Sequence, residues 1–257
     1  MPPPPAEAPR SEPAPPELSL VLPIYNEELV LERSLATIVA FAERLGRAFE
    51  LVCVDDGSRD KSAAILAQAA RRDGRIRALS HAKNQGKGAA VRTGMLAARG
   101  QLLFFMDADL STPLEELNGF IGALEAGYDV VLGNRRIAGA SVERRQPWLR
   151  ETLGKGFTFL TQRLLAPGIQ DFTCGFKGFR RAAARAIFAR STLDGWAFDA
   201  ELVVIAQVQG HRLLQLPVRW RHEDDTKVRL VSAVLGSAAE LVQILLNRLR
   251  GRYRLPD

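Results

Sequence analysis

Gln101-Leu102-Leu103-Phe104-Phe105-Met106-Asp107-Ala108-Asp109 is a short apolar run that ends in two carboxylates one residue apart. A run of this length and composition predicts a buried strand. Ligands of open α/β sheets collect just outside the carboxyl ends of strands, which is where Asp107 and Asp109 fall. Two hard oxygen donors at that place suit Mg²⁺ or Mn²⁺ carrying a diphosphate. Taken alone, the pair is also what a solvated turn after a strand looks like, so the rest of the chain decides.

Upstream the pattern alternates. An apolar run over 18–23 predicts a first strand, and a helix over 28–44 puts Leu31, Leu35 and Ile38 on one face. A second strand over 49–54 ends in Asp55-Asp56-Gly57-Ser58-Arg59-Asp60, where Asp60 is placed to cap a helix over 61–72. A short strand over 76–79 precedes Asn84-Gln85-Gly86-Lys87-Gly88, and a helix over 89–98 follows whose N-terminus suits an anion. This is no NTPase phosphate loop, because Lys87 is not followed by Ser or Thr and no glycine lies five residues before Gly86.

Downstream, Ser111-Thr112-Pro113 opens another helix, with Pro113 near its first turn, and a fifth strand is expected over 128–132. Strand and helix in strict alternation predict an α/β fold, a three-layer αβα sandwich on a mainly parallel sheet. From Gly133 the pattern changes to a loop with Arg135, Arg136, Glu143, Arg144 and Arg145, then an apolar helix over about 148–165. A helix over 202–209 and a strand over 213–220 close the core. A last amphipathic helix over 228–254 ends in Arg248, Arg250, Arg252 and Arg254.

Composition bounds the partners. The 257 residues are 47% hydrophobic and 25% charged, which suits one folded α/β domain with extensions. Residues 1–17 hold eight prolines and predict a disordered tail, leaving a domain over 18–227 and a basic C-terminal helix over 228–257. Cys53 and Cys174 form no metal or redox spacing, which points to a reducing compartment. A net charge of +6 favours acidic partners such as phosphates or anionic lipid heads. Nucleic acid is not expected, since the basic residues come without a reading motif. With no leader and no run of 18 apolar residues, no membrane span is expected either.

Three strand ends now carry polar chemistry in one half of the chain: Tyr25-Asn26-Glu27, Asp55-Asp56 and Asp107-Ala108-Asp109. In a parallel sheet they share one edge, where five carboxylates would repel unless cations or donors compensate. His81, His211 and His222 share no triad or metal spacing.

In order along the chain, Pro23-Ile24-Tyr25-Asn26-Glu27, Asp55-Asp56-Gly57-Ser58, Asn84-Gln85-Gly86-Lys87-Gly88, Asp107-Ala108-Asp109 and Gly133-Asn134-Arg135 resemble the signature of family 2 glycosyltransferases of the GT-A fold. Asp171-Phe172-Thr173-Cys174-Gly175-Phe176-Lys177 and Trp196-Ala197-Phe198-Asp199-Ala200-Glu201 resemble the polyprenyl-phosphate sugar transferases, the dolichyl-phosphate β-glucosyltransferases most of all. The resemblance implies a transferase that moves glucose from UDP-glucose to a polyprenyl phosphate, with a GDP-mannose donor or a sugar-hydroxyl acceptor as the alternatives and a non-catalytic nucleotide-sugar-binding module as the rival from another class. It further implies that Pro23, Tyr25, Glu27 and Asp55 hold the base and ribose, with Lys87 supporting that edge. Asp107 and Ala108 would meet the nucleotide, and Asp109, with Asp107, the Mg²⁺ or Mn²⁺ ion.

The arginines carry a physical expectation of their own. Arg135, Arg136, Arg144 and Arg145 follow the fifth strand, beside the proposed diphosphate. Guanidinium groups bind phosphate in a two-pronged way and stay charged, so these four are the expected cradle for the acceptor phosphate. Arg135, Arg145, Asp109 and Asp171 are the expected catalytic set. Asp171 either contacts the donor sugar or orients its loop. Asp199 and Glu201 either line the sugar pocket or cap the helix that follows. The helices over 148–165 and 228–254 either lie on a bilayer, giving a peripheral protein at the cytoplasmic face of a membrane, or pack on the core or a partner subunit.

Overall fold

The alternating runs become strands and helices with close to the expected bounds. The computed structural model describes residues 15–144, 156, 159, 161–221 and 230–255. They form β1 (Leu18–Ile24), α1 (Leu31–Arg44), β2 (Phe49–Asp55), α2 (Ser62–Arg72), β3 (Ile76–Ser80), α3 (Lys87–Ala97), β4 (Leu102–Met106), α4 (Glu116–Glu125) and β5 (Val130–Asn134). There follow β6 (Ser141–Arg144), β7 (Phe176–Arg180), α5 (Arg181–Phe188), α6 (Phe198–Val208), β8 (Leu213–Pro217), β9 (Arg219–Arg221) and α7 (Leu230–Leu249).

Seven strands make the main sheet, in the order β3-β2-β1-β4-β7-β5-β8. β1 pairs in parallel with β2 and β4, so Ile24 lies beside Asp55 and the ends of all three strands share one edge. The α/β expectation therefore holds, with one exception inside it. β7 runs antiparallel between β4 and β5. Its sequence, Phe176-Lys177-Gly178-Phe179-Arg180, carries a lysine and a glycine in the middle and does not read as a central strand. Gly178 is small because the Phe104 ring lies where its Cβ would be. The lysine is buried through an ion pair described below.

Side-chain alternation in the strands builds two cores, one per face. Val21, Val52, Leu103 and Phe105 point to the face covered by α3, α5, α6 and α7. Leu20, Leu22, Leu51, Cys53, Phe104 and Met106 point to the face covered by α1, α2 and α4. α5 lies in a stretch with no helix expected; its Ala183, Ala184, Ile187 and Phe188 form the buried stripe. The strand expected over 213–220 divides at Val218. Pro217 has no N–H to continue the ladder, and the chain leaves to pair β9 with β6 in a separate two-stranded sheet.

The C-terminal helix packs on the core with one face and exposes the other. Leu241, Ile244 and Asn247 are buried, whereas Val242 is 57% and Leu249 74% exposed. Tyr253, just past the helix, is wholly buried. Of the helix expected over 148–165, residues 156, 159 and 161–164 are helical, with Phe159 and Leu164 exposed. Arg145, Trp148 and the greater part of the proline-rich tail lie outside the described residues. Among the described residues no helix is long and apolar enough to cross a membrane.

Candidate active site

The β1 and β2 ends are stitched together by side chains that cap each other's turns. Asn26 N donates to Ser58 Oγ at 2.9 Å, and Arg59 N donates back to Asn26 Oδ1 at 2.8 Å. Glu27 N donates to Ser62 Oγ and Glu28 N to Asp60 Oδ2, while Lys61 N donates to Glu28 Oε2. Asn26 takes a left-handed backbone, φ 56°, which Asn tolerates better than most residues. Asp60 also accepts from Ser62 N, as expected of a residue before α2. Held in this way, the two turns leave Tyr25 37% exposed. Beside them lies a cavity of about 450 Å³ lined by Asp55, Gly57, Ser58, His81, Lys83 and Asn84. Asp55 itself is buried and accepts from Ser58 N at 3.2 Å.

Asp56 has a different task. Gln85 N and Gly86 N donate to its two oxygens at 2.9 and 2.8 Å, and His81 Nδ1 lies 2.7 Å from Oδ1. That clamp fixes the turn from which α3 starts with Lys87. His81 Nε2 in turn meets Thr93 Oγ1 on α3 at 3.0 Å. The adjacent carboxylates of the Asp55-Asp56 pair thus divide, Asp55 lining the cavity while it accepts from Ser58 N, and Asp56 holding the turn before α3.

At the end of β4 the Lys87 ammonium meets Asp107 Oδ1 at 2.5 Å. Burial works against the Lys87 charge, but Asp107, Asp199 and Asp109 outweigh it and hold the lysine above its ordinary pKa. Asp109 stands exposed after the buried Ala108, with Ser111 N donating to Oδ1 at 2.9 Å. Crowding by protein, then the Asp107 charge, raise the Asp109 carboxyl above the usual carboxylate range. The expected pair is therefore a site short of positive charge. Gly175 passes directly against the Asp107 carboxylate, where any Cβ would collide with it.

Arg135 is not an open fork. Its Nε and Nη2 donate to the two oxygens of Asp171 at 2.7 and 2.8 Å, its backbone N donates to Oδ2, and Nη2 also reaches Thr173 Oγ1. The guanidinium lies over the Trp220 ring at 5.2 Å. Asp171 is wholly buried. Burial would raise its pKa, but the Arg135 charge and hydrogen bonds hold it below the usual range. Asp171 is thus held by Arg135 on both carboxylate oxygens. Arg136 is exposed beside it; its backbone N donates to Asn134 Oδ1, and its Nη1 reaches Gln170 O at 3.4 Å. Arg144 ends β6 opposite Arg221.

A buried ion pair lies beneath this surface, absent from the expected site. Lys177, on β7 and wholly buried, donates to Asp199 Oδ1 at 2.5 Å and to the carbonyls of Phe172 and Cys174 at 2.9 and 2.6 Å. Burial, offset in part by Lys177 and Lys87, raises the Asp199 pKa. The lysine so pins the loop that carries Asp171. Glu201 is wholly buried and accepts from Thr192 N, Leu193 N and the Tyr253 hydroxyl. Alternation of polar and apolar residues gives no hint of such burial; a lysine inside a run flanked by Phe176 and Phe179 is the one sequence signal for it.

Comparison with known proteins points the same way. The model of the glycosyl transferase family 2 matches residues 19–188. A dolichyl-phosphate β-glucosyltransferase of Trichomonas vaginalis is 37% identical over 93% of this chain and 74% of its own length. The human dolichyl-phosphate β-glucosyltransferase is 31% identical over 93% of this chain and 78% of its own. The crystal structure of glucosyl-3-phosphoglycerate synthase from Mycobacterium tuberculosis with Mn²⁺, UDP-glucose and phosphoglyceric acid has a similar fold. It has a TM-score of 0.63 at 19% identity and covers 94% of this chain and 81% of that one.

Proposed function

The chain belongs to the family 2 glycosyltransferases, and on that premise we propose that it moves glucose from UDP-glucose to dolichyl phosphate or another polyprenyl phosphate, with inversion. The observation that carries this reading is the single edge formed by the Asp55 cavity, Lys87, Asp107 and Asp109. In the proposed reaction an acceptor phosphate oxygen forms a bond to the anomeric carbon. The bond from that carbon to the diphosphate breaks, and UDP leaves with the electron pair. Pro23, Tyr25, Glu27 and Asp55 take the nucleoside, and Lys87 faces its diphosphate.

A divalent cation fits the donor set. Asp107 and Asp109 are hard carboxylates in a site with raised Asp109 pKa. Among the described residues no group of three His, Cys, Asp or Glu side chains could hold a metal alone, so the diphosphate must complete the shell, as suits Mg²⁺ or Mn²⁺. When bound, the cation neutralises charge on the leaving diphosphate.

A phosphate acceptor is favoured by the state of the other carboxylates. A hydroxyl acceptor needs a general base within reach, yet Asp171 and Asp199 are both buried and bonded to Arg135 and Lys177. A phosphomonoester, with a second pKa of about 6, is already ionised near neutrality. Arg136 and Arg144, with Arg145, are proposed to receive it, and the Asp171–Arg135 pair to set their loop. The exposed Phe159, Leu164, Val242, Leu246 and Leu249 support peripheral contact with the membrane that holds the lipid, at its cytoplasmic face. Incubation with a panel of nucleotide sugars, Mg²⁺ and a short polyprenyl phosphate, followed by mass measurement of the lipid product, tests the reading. A lipid product gaining a hexose from UDP-glucose supports it; no product from any donor overturns it.

A further inference from the structure

Trp196 is 44% exposed in a stretch where the backbone on both sides is tied down. Thr192 N and Leu193 N donate to Glu201 Oε2. Asp194 O accepts from Gly88 N at 2.9 Å, and its carboxylate from Arg92 Nη2 at 2.6 Å. Gly195 has no room for a Cβ, because the Glu240 carboxylate of α7 fills that space. Ala197 N donates to the same carboxylate at 2.8 Å, and Phe198 beyond it is buried. An indole that leaves 44% of its surface exposed, on a backbone held so firmly, presents a fixed apolar face to solvent.

Its position says what that face meets. The Lys87 ammonium lies 5.9 Å from the centre of the Trp196 ring, and the same ammonium is bonded to Asp107. Ring and carboxylate thus flank one lysine. A sugar joined to a diphosphate at Asp107 and Asp109 would lie beyond the phosphates, at the margin of that lysine. A pyranose presents a face of C–H bonds that can pack on an aromatic ring, and its hydroxyls stay free to bond elsewhere. UDP alone has no such face at that end.

We propose that Trp196 is the platform on which the donor's pyranose ring stacks, so that it contributes to recognition of the sugar and not of the nucleotide. This rests on the UDP-sugar reading of the site. The test is calorimetric binding of UDP-glucose and of UDP, each with Mg²⁺, to the wild-type chain, Trp196→Ala and Trp196→Phe. Trp196→Ala should weaken UDP-glucose by about fivefold or more, the scale of an aromatic contact, and leave UDP within about twofold. Trp196→Phe keeps an aromatic face and should recover most of the loss. Equal weakening of both ligands, or no weakening of either, would overturn the platform alone. Failure of the wild-type chain to bind either nucleotide would overturn the UDP-sugar reading and the platform with it.

Discussion

Replacing Lys177 by Met keeps a side chain of similar reach but removes the ammonium from a wholly buried site. Lys177 is wholly buried and makes three hydrogen bonds, to Asp199 Oδ1 and to the carbonyls of Phe172 and Cys174. The methionine would leave two carbonyls and one carboxylate without their donor. Breaking a buried pair by removing one partner costs about 3–5 kcal/mol, because the other charge stays buried. A domain of ordinary stability has about 5–15 kcal/mol in hand, so the variant should fold but with a large drop. The double variant Lys177→Met with Asp199→Leu removes the stranded charge and should be more stable than Lys177→Met alone.

Asp199 supplies a pH signature for the same prediction. Its folded pKa is raised, with burial the chief cause. The folded state therefore holds the proton to higher pH than the unfolded chain, and stability falls as pH rises through the window that starts near about 3.9, the unfolded value. Without Lys177 the pKa should rise further, so the gap between variant and wild type should narrow on acidification. Urea midpoints at several pH values, at constant m, measure this. A defect below about 1 kcal/mol, or one that is larger at low pH, would refute the account of Lys177 as the counter-charge of Asp199.

Asp109→Asn keeps size but removes a charge, so turnover should collapse while the urea midpoint stays near wild type; normal turnover with unchanged Mg²⁺ dependence would remove Asp109 from the site. Arg135→Lys keeps the charge but loses the paired bonds to Asp171, at a cost of about 1.5–3 kcal/mol in stability or, for acceptor use, about ten- to a hundredfold in efficiency. The donor dissociation constant should hardly move, and a fall in donor affinity alone would count against that assignment. The chain should bind vesicles with anionic lipid and release in high salt; equal indifference to anionic and neutral vesicles at low salt would exclude a docking face of exposed leucines and arginines.

The first half of the chain was legible because its polar motifs sit where periodicity stops. β1, β2 and β4 are unbroken apolar runs, and each ends in a short polar motif that the parallel register brings to one edge. The second half follows no such rule. β7 is a central strand with a lysine in it, and the pattern of apolar residues cannot show that its charge is cancelled by Asp199, 22 positions later. The Arg135–Asp171 pair was hidden for the same reason: sequence displays a guanidinium but not the carboxylate bonded to it, 36 positions away. Glu201 and Tyr253 meet across 52 positions, and the amphipathic pattern of the C-terminal helix says only that some face is covered. Local capping chemistry, by contrast, was readable, since Asp60 and the Ser62 that donates to it are two residues apart.

On the proposed function, the charges at the β4 edge give a reason for cation and nucleotide to arrive together. Asp107, Asp109 and Asp199 face the ammonium groups of Lys87 and Lys177, so the fully ionised cluster is one negative charge in excess. A diphosphate entering alone adds negative charge to a place that already raises the pKa of Asp109. A divalent cation entering alone finds two carboxylates, one of them held by Lys87, and no third protein ligand among the described residues. Together they bring roughly equal and opposite charge and leave the balance of the cluster almost unchanged, while the diphosphate supplies the oxygens the protein lacks. Lys87 can then turn from Asp107 towards the phosphates without losing its counter-charge, because Asp199 acts on it as well. On this account Asp109 governs donor binding and metal binding as a single quantity, which is why its replacement by Asn should lower both at once.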